Sequence, residues 1–137
     1  MTSRAWIYLA AKYDAIDRIR VERTRIESLG YKVTSTWLDQ YDGIISMSDA
    51  PESTRRAIAR RDLKNVKEAD LFITDTMDEN HRGGREVEYG VAYAKGQLVW
   101  IVGPQRNVFH SIADKHFDSW DQVLEELRDY PVYVRSH

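Results

Sequence analysis

Gly83-Gly84-Arg85-Glu86-Val87-Glu88-Tyr89-Gly90-Val91-Ala92-Tyr93-Ala94-Lys95-Gly96, followed by Leu98-Val99-Trp100-Ile101-Val102, decides the fold. Two glycines let the backbone turn tightly and approach a ligand, because neither carries a Cβ. The spacing predicts a helix that presents Glu88 in its first turn, with Val87, Val91 and Ala94 forming the face buried against a sheet. The apolar run after Gly96 predicts a buried strand. Glycine turn, helix and strand in that order are the layout of an α/β ligand site.

Upstream, residues 5–10 are apolar and rich in aromatic and branched side chains, which predicts a central strand. Residues 14–29 place Ile16, Ile19, Ile26 and Leu29 at helical spacing, and Gly30 stops the helix. A second strand is expected over 31–36. Residues 39–50 are polar and precede Pro51, so they read as a loop bordering the site. A helix over 51–68 would turn Ala59, Leu63 and Val66 inward, and a third strand covers 71–74. Ser119-x-x-Gln122 is a capping box for a last helix. Residues 131–134 form either an edge strand or a tail packed on a neighbour. Strands alternating with helices imply right-handed crossovers and a mostly parallel sheet. The expected fold is one doubly wound, flavodoxin/Rossmann-like α/β domain over residues 1–137, with ligands at the carboxyl ends of its strands.

Composition removes several function classes. The formal charge of −2 gives no electrostatic case for a nucleic-acid polymer or a membrane surface. Absence of cysteine excludes thiolate catalysis, disulfides and Cys-based zinc sites. His81, His110, His116 and His137 lack metal-ligand spacing, so no metal is expected. No apolar run reaches the ~20 residues of a membrane span, and Met1 to Arg4 lead directly into a strand without a signal segment. The expected location is cytoplasmic.

The segment Glu88-x-Gly90-x-Ala92, then Gly96 and an apolar strand, resembles the nucleoside 2-deoxyribosyltransferase-like superfamily, which includes deoxyribosyltransferases and nucleoside-monophosphate N-glycosidases. Residues 7–11, Ala69-Asp70 with Asp75, Val102-Gly103-Pro104 and Asn107-Val108-Phe109-His110 extend the resemblance to most of the chain. It implies that Glu88 is the nucleophile on the anomeric carbon of a nucleoside or nucleotide sugar, with no cofactor. It also implies that sites form at subunit contacts in a homo-oligomer, where Asn107 is the match to an asparagine that completes a neighbour's site. Exposed Trp120, Tyr130 and Tyr133 would supply aromatic surface for such a contact.

N-glycosidic cleavage leaves positive charge on the sugar and negative charge on the base, so it suits two carboxyl groups. Asp75, at a strand end, or Asp78, in the loop beyond, is the expected acid or hydroxyl ligand. Glu86 lies about 200° around the helix from Glu88 and is expected to be solvated. Tyr8 either bonds Glu88 or is a core tyrosine; Trp37 either stacks on a base or packs in the core. The loop Ala10-Ala11-Lys12-Tyr13 lacks the glycine-rich phosphate loop of the monophosphate hydrolases, yet Lys12, Arg18 or Arg85 can still meet a phosphate, with Gly83 and Gly84 beside it. The basic stripe Arg56, Arg60, Lys64 and Lys67 is a solvated face or a phosphate contact. Two rival readings use the same fold: a non-catalytic nucleotide-binding module, and a TIR-like nicotinamide-dinucleotide glycohydrolase.

Overall fold

The computed structural model describes residues 3–39, 50–78 and 83–135. Most of the loop expected at 39–50, together with His81 and His137, lies outside them. Five strands form one parallel sheet in the order β2-β1-β3-β4-β5, where β1 is Trp6–Ala10, β2 Lys32–Val33, β3 Leu71–Asp75, β4 Leu98–Val102 and β5 Lys115–Phe117. This is the flavodoxin-like strand order. The helices are α1 (Ile16–Ser28), α2 (Glu52–Lys67), α3 (Gly84–Ala94) and α4 (Trp120–Asp129). Helix α1 packs with α4, and α2 packs with α3.

Pairing register assigns side chains to faces, because neighbours across a ladder point the same way and successive residues alternate. Tyr8 pairs with Phe72, and Ala10 with Thr74. These residues face α3, since the Tyr8 ring stacks on Phe72, which meets the edge of Tyr89 on α3. Leu9, Ile73, Trp100 and Asp75 have the opposite parity and face α1 and α4. The core therefore has two layers separated by the sheet.

Local chemistry explains the element ends. Gly83 has φ 89 and caps α3 in the left-handed region, and Gly96, at φ 74, ends it. Ser119 accepts from the Gln122 N–H, and Gln122 reaches back to the Asp118 N–H. Four expectations need correction. The second strand keeps only Lys32 and Val33, because Thr34 and Ser35 turn inward to bond Ile7, Asn65 and Leu9 and a 3-10 turn follows over Thr36–Asp39. A fifth strand of three residues, too short to show a period, lies at 115–117. On α2, Ala59 is exposed while Ile58, Asp62, Asn65 and Val66 face inward. On α3 the buried stripe is Arg85, Tyr89 and Ala92; Val87 is 59% exposed, and Ala94 is also exposed.

The tail runs back onto its own N-terminal segment. Residue Arg4 bridges Tyr133 in antiparallel fashion, and the Tyr31 hydroxyl donates to Leu127 O while accepting from the Val132 N–H.

Candidate active site

Helix α3 starts over the carboxyl edge of the sheet and runs back along it, so its second turn carries Glu88 over β1. Glu88 thus sits one turn deeper than expected. Its Oε2 accepts a hydrogen bond from the Tyr8 hydroxyl, which decides between the two readings of Tyr8. Burial is the main cause that raises the Glu88 carboxyl, from 4.5 to about 7; the Tyr8 bond lowers it and the charge of Asp62 raises it further. Tyr8 is pushed well above the usual phenol range by burial first, then by the charges of Glu88 and Asp62. The hydroxyl therefore remains a donor, fixing the Glu88 side chain.

Asp62 is the residue that sequence reading missed. It lies on the inward side of α2, and burial raises its own carboxyl, opposed by the Arg61 side chain, which donates to Oδ1 at 2.9 and 3.1 Å. Its signal was present: Asp62 sits four residues after Ile58 and four before Val66, inside the apolar stripe of the helix. The surrounding arginines and lysines masked it as one more charge on a basic face.

Asp75 is 0% exposed and lies on the other side of the sheet from Glu88. Its Oδ2 accepts from Arg18 Nη1 at 2.6 Å and from Trp120 Nε1 at 2.7 Å, while Oδ1 accepts from the Met77 N–H at 2.9 Å and Arg18 Nη2 at 3.3 Å. Four donors occupy its two oxygens inside the fold, on the face of the sheet away from Glu88, so this geometry does not bring it to a ligand beside Glu88. Asp78 accepts from the same Arg18 at 3.1 Å. Trp120, expected at the surface, is 7% exposed because this bond draws it inward.

The remaining expected residues divide clearly. Ala10 ends β1 beside Thr74. Lys12 pairs with Asp14 at 3.5 Å. Trp37 is buried, packs near Tyr13 and donates to Leu9 O at 2.8 Å, as a core residue does. Asn107 caps the 3-10 turn Val108–Ile112, accepting from the Phe109 and His110 N–H groups. Arg85 donates through Nη1 to Asp75 O at 2.7 Å. Glu86 is not simply solvated: fully buried His110 contacts it through Nε2 at 3.0 Å. His110 Nδ1 accepts the Arg106 N–H, so the ring proton sits on Nε2 and is given to Glu86. The basic stripe of α2 is largely exposed. Among the described residues, no His, Asp and Glu side chains cluster to hold a metal ion, and no helix is long and apolar enough to cross a membrane.

The chain is thus an α/β protein with a flavodoxin-like parallel sheet and a desolvated carboxyl–phenol pair on one face. The chain belongs to the nucleoside 2-deoxyribosyltransferase family, which it matches over residues 7–128. Membership supports deoxyribosyl transfer or N-glycosidic cleavage as its activity. Among solved structures it is similar to the 2-deoxyribosyltransferase of the psychrotolerant bacterium Bacillus psychrosaccharolyticus, at 22% identity over 88% of this chain and 90% of that one, with a TM-score of 0.72. It is also similar to a CMP N-glycosidase of Clostridium botulinum (20% identity, 91% and 99% covered, TM-score 0.61). A conserved protein of Enterococcus faecalis aligns at 19% identity over 93% and 99%, with a TM-score of 0.68. At these identities the likeness concerns the fold. Among curated proteins, no sequence matches significantly.

Proposed function

We propose that this protein cleaves or transfers the N-glycosidic bond of a nucleoside or nucleotide through a covalent intermediate on Glu88. The observation that carries the reading is the desolvated Glu88 carboxyl, held by the Tyr8 hydroxyl and flanked by Asp62. A carboxyl group near 7 is about half ionised at neutral pH, and positive charge growing on the sugar favours the ionised form further. A Glu88 oxygen bonds the anomeric carbon as the carbon–nitrogen bond breaks and its electron pair leaves with the base. As Glu88 ionises, desolvated Asp62 takes up the proton that Glu88 releases and gives it to the departing base. Water, losing a proton to Asp62, or a second base then attacks the anomeric carbon and frees the Glu88 carboxylate. Asp75 positions the edge of β3 from the opposite face and takes no part in proton transfer. No cofactor or metal enters these steps.

A second subunit fits this reading. Val87, Tyr93, Val108, Phe109 and Ile112 are exposed on α3 and the 3-10 turn beyond β4, a better apolar surface than the buried Trp120. Asn107 lies at its border. Light scattering is expected to show an oligomer; a fully active monomer would remove this part.

The central test is chromatography of the protein incubated with pooled nucleosides and nucleotides, with and without a second free base. Release or exchange of a purine or pyrimidine supports the reading. Release of nicotinamide alone, or binding without any release, overturns it. A 2-fluoro sugar substrate is expected to leave an adduct whose mass maps to the peptide holding Glu88.

A further inference from the structure

We propose that His110 is a positioning residue for Glu88: it fixes the rotation of α3 about its own axis and so keeps the carboxyl on Tyr8. The proposal rests on the glycosidic reading of Glu88, in which His110 itself takes no step. His110 is 0% exposed, and all its polar atoms are engaged. Its Nδ1 accepts the Arg106 N–H at 2.9 Å, and its Nε2–H points to the two Glu86 oxygens at 3.0 and 3.1 Å. Its carbonyl accepts from His116 Nε2, on β5, at 2.8 Å. Arg106 in turn donates to Thr76 O at 3.1 Å and Met77 O at 3.3 Å, just beyond β3. The imidazole is therefore tied to the sheet as well as to its own turn.

Helix geometry converts this fixture into a constraint on Glu88. Two steps of about 100° place Glu86 and Glu88 on opposite flanks of α3, with the buried stripe of Arg85, Tyr89 and Ala92 between them. On one flank Tyr8 of β1 holds Glu88; on the other His110, beyond β4, holds Glu86. Strands β1 and β4 lie on either side of β3, so the two bonds restrain the helix from opposite directions. Tyr89 fills the gap between them. Its ring centre lies 5.5 Å from that of His110 and 6.2 Å from that of Phe72, and its hydroxyl donates to Phe109 O at 2.7 Å. Phe72 stacks on Tyr8. His110 thus acts on Glu88 by two routes, through Glu86 two residues before it and through Tyr89 next to it.

Small rotations are enough to matter. A side-chain tip stands ~5–6 Å from a helix axis, so a turn of about 10° carries the Glu88 carboxyl through about 1 Å. A misplacement of that size costs up to roughly 10²-fold in rate. It also weakens the Tyr8 bond, which lowers the carboxyl against the burial that raises it. Loosening α3 therefore slows the reaction and lets Glu88 keep its proton to higher pH.

Glu86→Ala cuts the brace at its partly exposed end and tests this. It should lower kcat by roughly 10- to 100-fold with KM within about 2-fold of wild type. The acid limb of the pH–rate profile should move upward from about 7. Loss of a nearby negative charge would by itself move that limb downward, so the direction separates position from electrostatics. Glu86→Gln keeps an acceptor for His110 Nε2–H and should restore most of the rate. His110→Leu should reproduce Glu86→Ala; if it does not fold, the two Glu86 variants carry the comparison. A purely structural brace would lower the melting temperature and leave the limb in place. With Tyr8→Phe already present, Glu86→Ala should add no further shift, because the bond it loosens is gone. Carboxyl-carbon NMR follows the Glu88 titration without turnover. An unmoved titration in Glu86→Ala, a shift fully additive with Tyr8→Phe, or a Glu86→Gln protein as impaired as Glu86→Ala overturns the proposal. A wild type that frees no base, while its Glu88 titration responds to Glu86→Ala, defeats the glycosidic reading alone. Base release that persists unchanged in Glu86→Ala, with the titration unmoved, defeats the positioning role alone.

Discussion

Replacing Glu88 by Gln separates what this residue does for chemistry from what it costs the fold. The proton on Glu88 is bound more tightly in the folded chain than in the unfolded one, so its stabilising effect is complete below about 4.5 and is lost as the pH rises through about 7. The rise from 4.5 to about 7, at about 1.4 kcal/mol per pH unit, caps the cost of ionising the folded protein near ~3 kcal/mol. Residual exposure of the side chain screens part of this, leaving about 1–3 kcal/mol. Glu88→Gln keeps an acceptor for Tyr8 and removes the titration. At pH 5 the variant and wild type should melt within about 1–2 °C of each other, and at pH 8.5 the variant should melt higher by roughly 4 °C per kcal/mol recovered. Base release should meanwhile fall by several orders of magnitude, because the covalent path is gone. Calorimetric melting at the two pH values, paired with chromatographic rates, checks both halves. A variant equally stable relative to wild type at pH 5 and 8.5 would refute the desolvation argument. An active variant would refute the nucleophile.

Three other perturbations probe the same geometry. Tyr8→Phe removes the bond that lowers the Glu88 carboxyl, so the acid limb of the pH–rate profile should move upward from about 7, read by rates across pH 5–9. Asp62→Asn should slow base release by roughly 10²–10⁴-fold, the usual weight of a general acid, while thermal melting stays close to wild type. It should also lower the Glu88 carboxyl, visible in the same profile, because one raising charge is gone. Asp75→Ala leaves Trp120 Nε1 and the Met77 N–H without their acceptor and Arg18 with Asp78 alone, and should cost about 1–3 kcal/mol in urea unfolding.

Much of this fold is legible in the residues. Ile16, Ile19 and Ile26 repeat at helical spacing, and short apolar runs at 5–10, 71–74 and 98–102 stand between polar segments, which gives β1, β3, β4 and the helices between them. The site is legible only in part, because position along a strand can be read but register cannot. Asp75 and Tyr8 both stand near carboxyl ends, and only the pairing of Leu9 with Ile73 and Tyr8 with Phe72 shows that they face opposite ways. The buried face of α3 misled for a different reason. Val87, Val91 and Ala94 form a good apolar stripe, whereas the true one begins with an arginine. A charged side chain that donates to a strand carbonyl leaves no hydrophobic trace. Asp62 is the converse case, an inward-facing carboxyl camouflaged by basic neighbours.

The pleat of β1 also limits how this protein can change. Tyr8 reaches Glu88 only because it stands one position, an odd step, from Ile7 and Leu9, whose side chains face the other layer. Removing one residue ahead of it in the strand would keep a hydrophobic segment capable of pairing, yet swing the phenol to the α1 and α4 layer and leave Glu88 without its donor. Length changes in the connecting loops carry no such reversal, since parity is counted only along strands. Descendants of this sequence are therefore free to lengthen their turns and remodel substrate choice, while the central strand must be inherited whole, to the residue.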